Sequence, residues 1–272
     1  MSVNPVADVA DAWSGSEYRE NTAHHRAFDP PALWSLGLGA GDSLLDVGCG
    51  AGDLTAALAD HYPRSEVIGI DASPSQIEQA CRHERPRLRF EVRRVQDLCW
   101  EKRFAAVFSI ACLHWIPIPE HPRVLEKIFR ALVPGGRLLA SFAAETNIEE
   151  IRRIIFSIAD RPPYRRHLQG RLPHHPWPSL HRYREMLAGS PFGAAEELRT
   201  ETQPRTFSRT GLTGWLRTQT LTGYRPRLPP PVFEDLVAEV SEKVAELTRA
   251  GHGHVVPFVR LQLQARRPRT AP

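Results

Sequence analysis

A chain of 272 residues, 42% of them hydrophobic, can bury a full core and form one or two domains. It carries 35 Lys and Arg against 31 Asp and Glu, a formal net charge of +4, and no apolar run reaches the roughly 18 residues that a membrane span needs. The polar, acidic stretch 1–13 does not read as a signal peptide, and Cys49, Cys81, Cys99 and Cys112 form no C-x-x-C pair, so they are expected to be reduced, mostly buried thiols of a soluble cytoplasmic protein.

Residues 1–40 are predicted to form an N-terminal segment, helical over 18–34. Leu44-Leu45 then ends a buried strand that runs into Asp46-Val47-Gly48-Cys49-Gly50-Ala51-Gly52. Three glycines at alternate positions let the backbone turn sharply and approach a ligand, because no Cβ stands in the way. Apolar residues at helical spacing follow from Leu54 to Ala59, so the loop opens a helix. Strand, glycine loop and helix make a nucleotide-type pocket at the end of a parallel strand. Val67-Ile68-Gly69-Ile70-Asp71 is a second strand whose terminal acid, about 20 residues beyond the glycines, can accept both hydroxyls of a ribose.

A third strand begins near Phe90 and a fourth spans 104–110. A helix over 125–132 leads through Val133-Pro134-Gly135-Gly136 into a fifth strand. This alternation over 43–143 predicts an α/β fold with a doubly wound, mostly parallel sheet. Residues 145–192 break it: a helix near 148–159 is followed by a proline-rich, basic region, predicted to be a helical cap inserted after the fifth strand. Strands over 196–202 and 255–264, the last antiparallel, complete a seven-stranded sheet. Helices over 213–221 and 232–248 lie between them, the second with apolar residues at Val232, Leu236, Val240, Val244 and Leu247. The chain 1–272 is expected to be a single domain.

Spacing decides what the glycine loop holds. A dinucleotide fingerprint needs its third glycine at 53 or 55, where Asp53 and Thr55 stand, so a dehydrogenase is excluded. The D-x-G-x-G-x-G pattern instead resembles the first motif of class I S-adenosylmethionine-dependent methyltransferases. Ala111-Cys112-Leu113-His114-Trp115-Ile116-Pro117 is similar to the L-H-W segment of small-molecule members, and Val133-Pro134-Gly135-Gly136-Arg137-Leu138-Leu139 to their L-x-P-G-G-x-L turn. The resemblance covers roughly residues 10–145, with the last 60 or so also fitting. It implies a Rossmann-like methyltransferase fold and S-adenosyl-L-methionine as cofactor.

Within the family, Cys112 to Pro117, the cap and Pro257-Phe258-Val259-Arg260-Leu261 resemble the trans-aconitate and juvenile hormone acid methyltransferases. That implies O-methylation of a small, carboxyl-bearing or otherwise anionic acceptor. Alternatives are C- or N-methylation of a secondary metabolite, a nucleic-acid methyltransferase, and an S-adenosylmethionine-binding protein without transferase activity. The basic balance allows a nucleic-acid partner. However, nucleic-acid amino-methyltransferases carry a D-P-P-Y motif after the fourth strand, where this chain has Ser109-Ile110-Ala111-Cys112. The look-alike Asp160-Arg161-Pro162-Pro163-Tyr164 lies some 50 residues later. A small-molecule acceptor is expected, with neither nucleic acid nor membrane as partner.

The resemblance also assigns roles residue by residue. Gly48, Gly50 and Gly52 would contour around the methionine part of the cofactor, with Asp46 near its ammonium. Asp71 would bind the ribose, Ala72 lying beside it, and Ala111 would line the wall near the methionyl chain. Tyr18, His25 and Arg26 match the place where relatives close an N-terminal helix over the cofactor; a surface helix is the other reading. The family usually has Asp where Arg94 stands, accepting from the adenine amino group. Arginine cannot accept, so Asp97 or the Val95 backbone would substitute, unless Asp97 is only a helix cap.

A transferable methyl group is already activated, so the protein need only align the reactants and exclude water; no metal is expected. His114 is the candidate catalytic residue, as a base for an acceptor that must lose a proton or simply as a packed histidine. Trp115 would touch the acceptor or the core. From Arg161 through Arg184 there is no acidic residue. Arg165, Arg166, Arg182 and Arg184 are candidates to clamp an anionic acceptor, against a solvated basic loop. Tyr164, Trp177 and Tyr183 are interleaved, which keeps nucleic-acid stacking as a further reading.

Overall fold

Residues 31–168 and 176–269 are described by the computed structural model. Alternating buried strands and helices build a three-layer fold around one sheet. Strands β1 (Ser43–Val47), β2 (Glu66–Asp71), β3 (Leu88–Val92), β4 (Phe104–Ile110) and β5 (Leu132–Ala143) run parallel in the order β3-β2-β1-β4-β5. Strand β8 (Gly253–Arg266) then inserts between β5 and β6 (Glu197–Phe207), antiparallel to both. The two-residue β7 (Arg249–Ala250) pairs with β8 in a hairpin and makes the eighth strand. The expected parallel sheet with an antiparallel last strand is therefore present, with β6 and β8 both longer than the apolar pattern suggested.

Successive residues of each strand feed opposite layers. One layer packs Leu45, Val47, Ile68, Ile70, Val107 and Phe142 against α3 (His121–Ala131) and α6 (Leu180–Ala188). On the other face, Leu44, Val67, Leu88 and Phe108 meet α1 (Asp53–His61) and α2 (Pro74–Ala80). Further along that second face, Val256 and Phe258 of β8 pack with α4 (Glu149–Ala159), the single turn α5 (Pro162–Arg165), α7 (Arg209–Trp215) and α8 (Pro230–Thr248). Ile110, at the C-terminal tip of β4, touches both clusters of this face. The seam between them opens where the chain leaves β1 and β4 in opposite directions, the usual place for a ligand on an open α/β sheet.

Local chemistry explains several element boundaries. Ser73, Ser179 and Ser208 each accept a backbone N–H at a helix start, and Pro74 occupies the first turn of α2. The proline-glycine turn is absorbed into β5, with a register irregularity between Phe104 and Ala106 and Gly135 at φ +84°. The helix expected over 213–221 begins at Arg209 and changes to a π-helical turn over Leu216–Thr220. Of the helix expected over 18–34, the described part is a 3-10 turn, Pro31–Ser35.

Helix α6 was not visible in the basic stretch, yet it is a core element. Tyr183 and Leu187, one turn apart, are buried against α3 and the sheet. The Tyr183 ring lies 5.6 Å from His121 and 5.1 Å from Phe142. Its hydroxyl sits 3.4 Å from His121 Nδ1, and His121 Nε2 is 3.1 Å from the Ile116 carbonyl. Replacing Tyr183 by Ala should therefore lower unfolding stability by about 3–5 kcal/mol, as for other large buried aromatics. Chemical denaturation measures it; a loss below about 1 kcal/mol, typical of a surface site, would contradict this packing.

Candidate active site

Three of the predicted glycines take left-handed backbone angles, Gly48 at φ +80°, Gly50 at +53° and Gly52 at +84°. The requirement is strictest at Gly48. A Cβ there would lie 2.2 Å from Cys112 Sγ and 2.3 Å from Cys112 Cβ, so no side chain fits between the loop and the chain leaving β4. The Gly48 and Cys49 amides both donate to the Ile70 carbonyl, at 2.8 and 3.0 Å, which anchors the loop on β2. Asp46 is buried and accepts the Thr55 hydroxyl at 2.6 Å, tying β1 to α1.

Asp71 joins the second strand to this loop. One carboxylate oxygen accepts from the Gly50 amide at 3.0 Å, and the other from the Ser73 amide at 2.9 Å. Burial pushes its carboxyl pKa up, opposed by the hydrogen bonds from Ser73, Gly50 and Ala72. Ala72 beside it is exposed. The thiols of Cys49 and Cys112 are both pushed up, first by burial and then by the charges of Asp46 and Asp71. The carboxylates of Asp46 and Asp71 add to the effect of burial on both thiols, and carboxylates so placed would favour a cationic ligand beside the loop.

Beyond β3, Val95–Asp97 forms a 3-10 turn in which Val95 is buried and Asp97 exposed. Asp97 ends this turn, so it does not cap a following helix; its amide donates to the Arg94 carbonyl at 3.0 Å. At the tip of β4, Ala111 adopts φ +57°, a left-handed conformation that costs a non-glycine residue energy and collects at functional sites. Its amide donates to the Ser141 carbonyl at 2.8 Å. That same carbonyl accepts from the guanidinium of Arg260, which is 3% exposed and also reaches the Ser141 hydroxyl.

His114 lies in the 3-10 turn Leu113–Trp115 and is buried. The Ala143 amide donates to its Nδ1 at 3.5 Å. With Nδ1 accepting, the N–H of the ring would be on Nε2. The His114 ring is 5.2 Å from half-buried Trp115 and 6.1 Å, edge to face, from Trp177. Over Trp177 in turn lies the Arg152 guanidinium, 4.5 Å from the ring centroid.

The structure ties Asp46, Gly48, Gly50, Gly52 and Asp71 together at the ends of β1 and β2, with Cys112, next to Ala111, against Gly48 and His114 on the turn that follows. Arg165, Arg166, Arg182 and Arg184 are exposed. Arg165 pairs with Asp160 at 3.5 Å, and Arg166 Nε donates to His167 at 3.0 Å. Arg182 and Arg184 flank Tyr183 on the outer side of α6. Tyr164 and Tyr183 are buried, and Tyr164 donates to Glu239 at 2.9 Å, so neither ring is available for base stacking. Tyr18, His25 and Arg26 lie outside the described residues. Sequence reasoning missed Thr55, Ser141 and Arg152, and read Trp177 only as one of the aromatics interleaved in the basic stretch. An arginine beside the buried periodicity of Ile151, Ile155 and Ile158 was the one available signal.

Comparison with known proteins agrees with this cleft. The profile of a methyltransferase-domain family matches residues 44–136. The trans-aconitate 2-methyltransferase of Methylobacterium radiotolerans is 32% identical over 192 residues, covering 68% of this chain and 70% of that protein. That of Methylobacterium nodulans is 29% identical over 94% of this chain and 99% of its own length. That of Deinococcus radiodurans is 38% identical, but over 37% of this chain and 38% of that protein. Among solved structures, Haemonchus contortus phosphoethanolamine N-methyltransferase 2 in complex with S-adenosyl-L-methionine shares the fold. Its TM-score is 0.51 at 18% identity, covering 92% of this chain and 53% of that one.

The overlap at position 48 gives a direct check. Gly48→Ala forces Cys112 and the loop apart, so it should lower the melting temperature and abolish ligand binding together. Thermal denaturation with and without ligand reads both. An unchanged melting temperature would show that the loop does not press on Cys112.

Proposed function

Since the chain belongs to the class I S-adenosylmethionine-dependent methyltransferases, in the trans-aconitate methyltransferase group, we propose that it forms the methyl ester of a small carboxylate acceptor. S-adenosylmethionine is the cofactor. When bound, it would supply an activated methyl group to a carboxylate oxygen, with sulfur as the leaving group that keeps the C–S electron pair and no proton released.

This chain's cleft fits such a cofactor. Gly48, Gly50 and Gly52 leave room for the methionine part, and the negative field of Asp46 and Asp71 favours its ammonium and sulfonium charges. Asp71 would accept the ribose hydroxyls, with Ala72 alongside. Val95 and Asp97 would meet the adenine, and Ala111 the methionyl chain. Of the expected cap over 145–192, α6 belongs to the core with α3, and α4 and α5 are proposed to cap the acceptor end, within a single domain that works in the cytoplasm.

The observation that carries the ester-forming reading is the hydrogen bond from the Ala143 amide to His114 Nδ1. It leaves His114 with an N–H on its other nitrogen, suited to donating to an acceptor oxygen and not to removing a proton. A carboxylate is ionised at neutral pH and needs no base. Attack of an anion on a cation neutralises both charges, so a dry cleft favours the transition state over the separated ions. Buried His114 and the half-buried Trp115 and Ile110 would supply that dryness.

Incubation with methyl-labelled cofactor and a panel of carboxylate, amine and phenol acceptors tests this. A base-labile product from a carboxylate is expected, and a base-stable N- or C-methyl product would overturn the reading. His114→Ala should reduce turnover of that carboxylate far less than the roughly 100-fold expected from losing a general base.

Asp71 gives a pH test. Only its ionised form attracts the cationic cofactor, and burial raises its pKa. Affinity should therefore fall on acidification from a pH above that of an ordinary aspartate. Asp71→Asn should bind weakly, by about 1 kcal/mol or more, and lose that acid limb in calorimetry. An acid limb that persists in Asp71→Asn would assign it to another group.

A further inference from the structure

Two backbone amides at the end of β5 bind two separate segments. The Ala143 amide donates to His114 Nδ1 at 3.5 Å, and the Glu145 amide donates to the Pro178 carbonyl at 3.1 Å. The turn that carries them is pinned. Asn147 is buried, its side chain accepts the Val259 amide of β8 at 2.9 Å, and its own amide donates to the Ala144 carbonyl at 2.9 Å. Ile148, the next residue, is buried at φ +45°. A β-branched residue is strained in that left-handed region and stays there only where its surroundings over-determine it. The turn over 144–148 thus sets the His114 ring and the segment around Trp177 in a fixed relation.

Trp177 is held from its own side as well. It precedes the buried Pro178, which restricts its backbone to extended conformations. Ser179 then caps α6, its hydroxyl accepting the Arg182 amide at 3.2 Å, and Tyr183 and Leu187 anchor α6 in the core. The Arg152 guanidinium lies over the indole, 4.5 Å from its centroid. The indole is half-buried and packs against the same cluster as Ile110, at the tip of β4. It stands 6.1 Å from the His114 ring with 84° between the planes, a T-shaped aromatic contact. Held by its backbone, by a cation and by a second ring, the indole is a fixed surface beside His114 rather than a lid.

We propose that Trp177 is a wall of the acceptor site and sets the width of the group that can approach the methyl donor beside His114. The role is steric and specificity-determining: the indole takes no part in the transfer, and Arg152 acts only through the indole. A rigid wall discriminates sharply, because an added carbon must displace packed atoms instead of pushing aside a mobile ring. An acceptor with a slender chain next to its reacting atom passes the indole, and one with a ring there meets it. This assignment rests on the reading that the acceptor meets the donor beside His114. It holds for an ester, an N-methyl or a C-methyl product alike.

The test pairs acceptors of equal charge and unequal width, butanedioate against phenylbutanedioate, with the full chain and methyl-labelled cofactor. Trp177→Ala should cut the slender-to-bulky ratio of kcat/KM by about 10-fold or more, chiefly through a lower KM for the bulky acceptor, with S-adenosylhomocysteine affinity unchanged in calorimetry. Trp177→Phe should fall between, and it carries the test if Trp177→Ala loses cofactor affinity. A merely structural indole would lower both rates alike, so an unchanged ratio overturns the wall. A second measurement needs no acceptor. Diethyl pyrocarbonate labelling, read peptide by peptide, should modify His114 several-fold faster in Trp177→Ala than in wild type, while the exposed His252 reacts equally in both. An unchanged His114 rate overturns the placement of the indole as its shield. If ethylamine is methylated and butanedioate is not, the ester reading falls, and the ratio of ethylamine to 2-phenylethylamine decides the wall in its place.

Discussion

The close approach of Gly48 to Cys112 is the constraint on which the site depends. Strands β1 and β4 are hydrogen-bonded neighbours, and each must turn away at its C-terminal end without colliding with the other. Glycine at 48 removes the Cβ that would meet Cys112, while Ala111 accepts a left-handed conformation on the other side. The Ser109 hydroxyl donates to the Val47 carbonyl at 2.9 Å and fixes the spacing of the two tips. The cleft is what remains between two chain segments that diverge from this contact. Its shape follows from backbone geometry before any ligand-binding side chain is considered.

That dependence explains what was legible in the sequence. The glycine loop, Asp46 and Asp71 could be read because a backbone turn at a strand end imposes local spacing on nearby residues. Strand β4 was legible to its last residue for the same reason: an apolar run, then an abrupt change at Ala111. The acceptor end was not. Arg152, Trp177 and His114 come from three separate segments, and only the folded chain sets the Trp177 ring between the other two. No spacing rule links them.

The basic stretch after residue 161 shows the opposite failure. Its prolines and arginines suggested a cap with arginines turned to the acceptor, and that impression hid the i, i+4 pair Tyr183 and Leu187. These two residues fold α6 into the core beside α3. The pairing that buries them carries Arg182 and Arg184 outward. Charge density along a sequence reports composition; which charges face a ligand is decided by the apolar residues between them. Ile151 and Ile155 bury their side of α4 and leave Arg152 at the margin of the core, over Trp177.

Asp46 and Asp71 place carboxylates beside the glycine loop, and after burial their charges are the largest cause that disfavours the thiolates of Cys49 and Cys112. A cationic methyl donor held there would meet charge placed on the protein in advance, and an anionic group that attacks it would lose its own charge together with the donor's, so low polarity at the tip of β4 would favour the transfer. Such a step asks for no acid or base at His114.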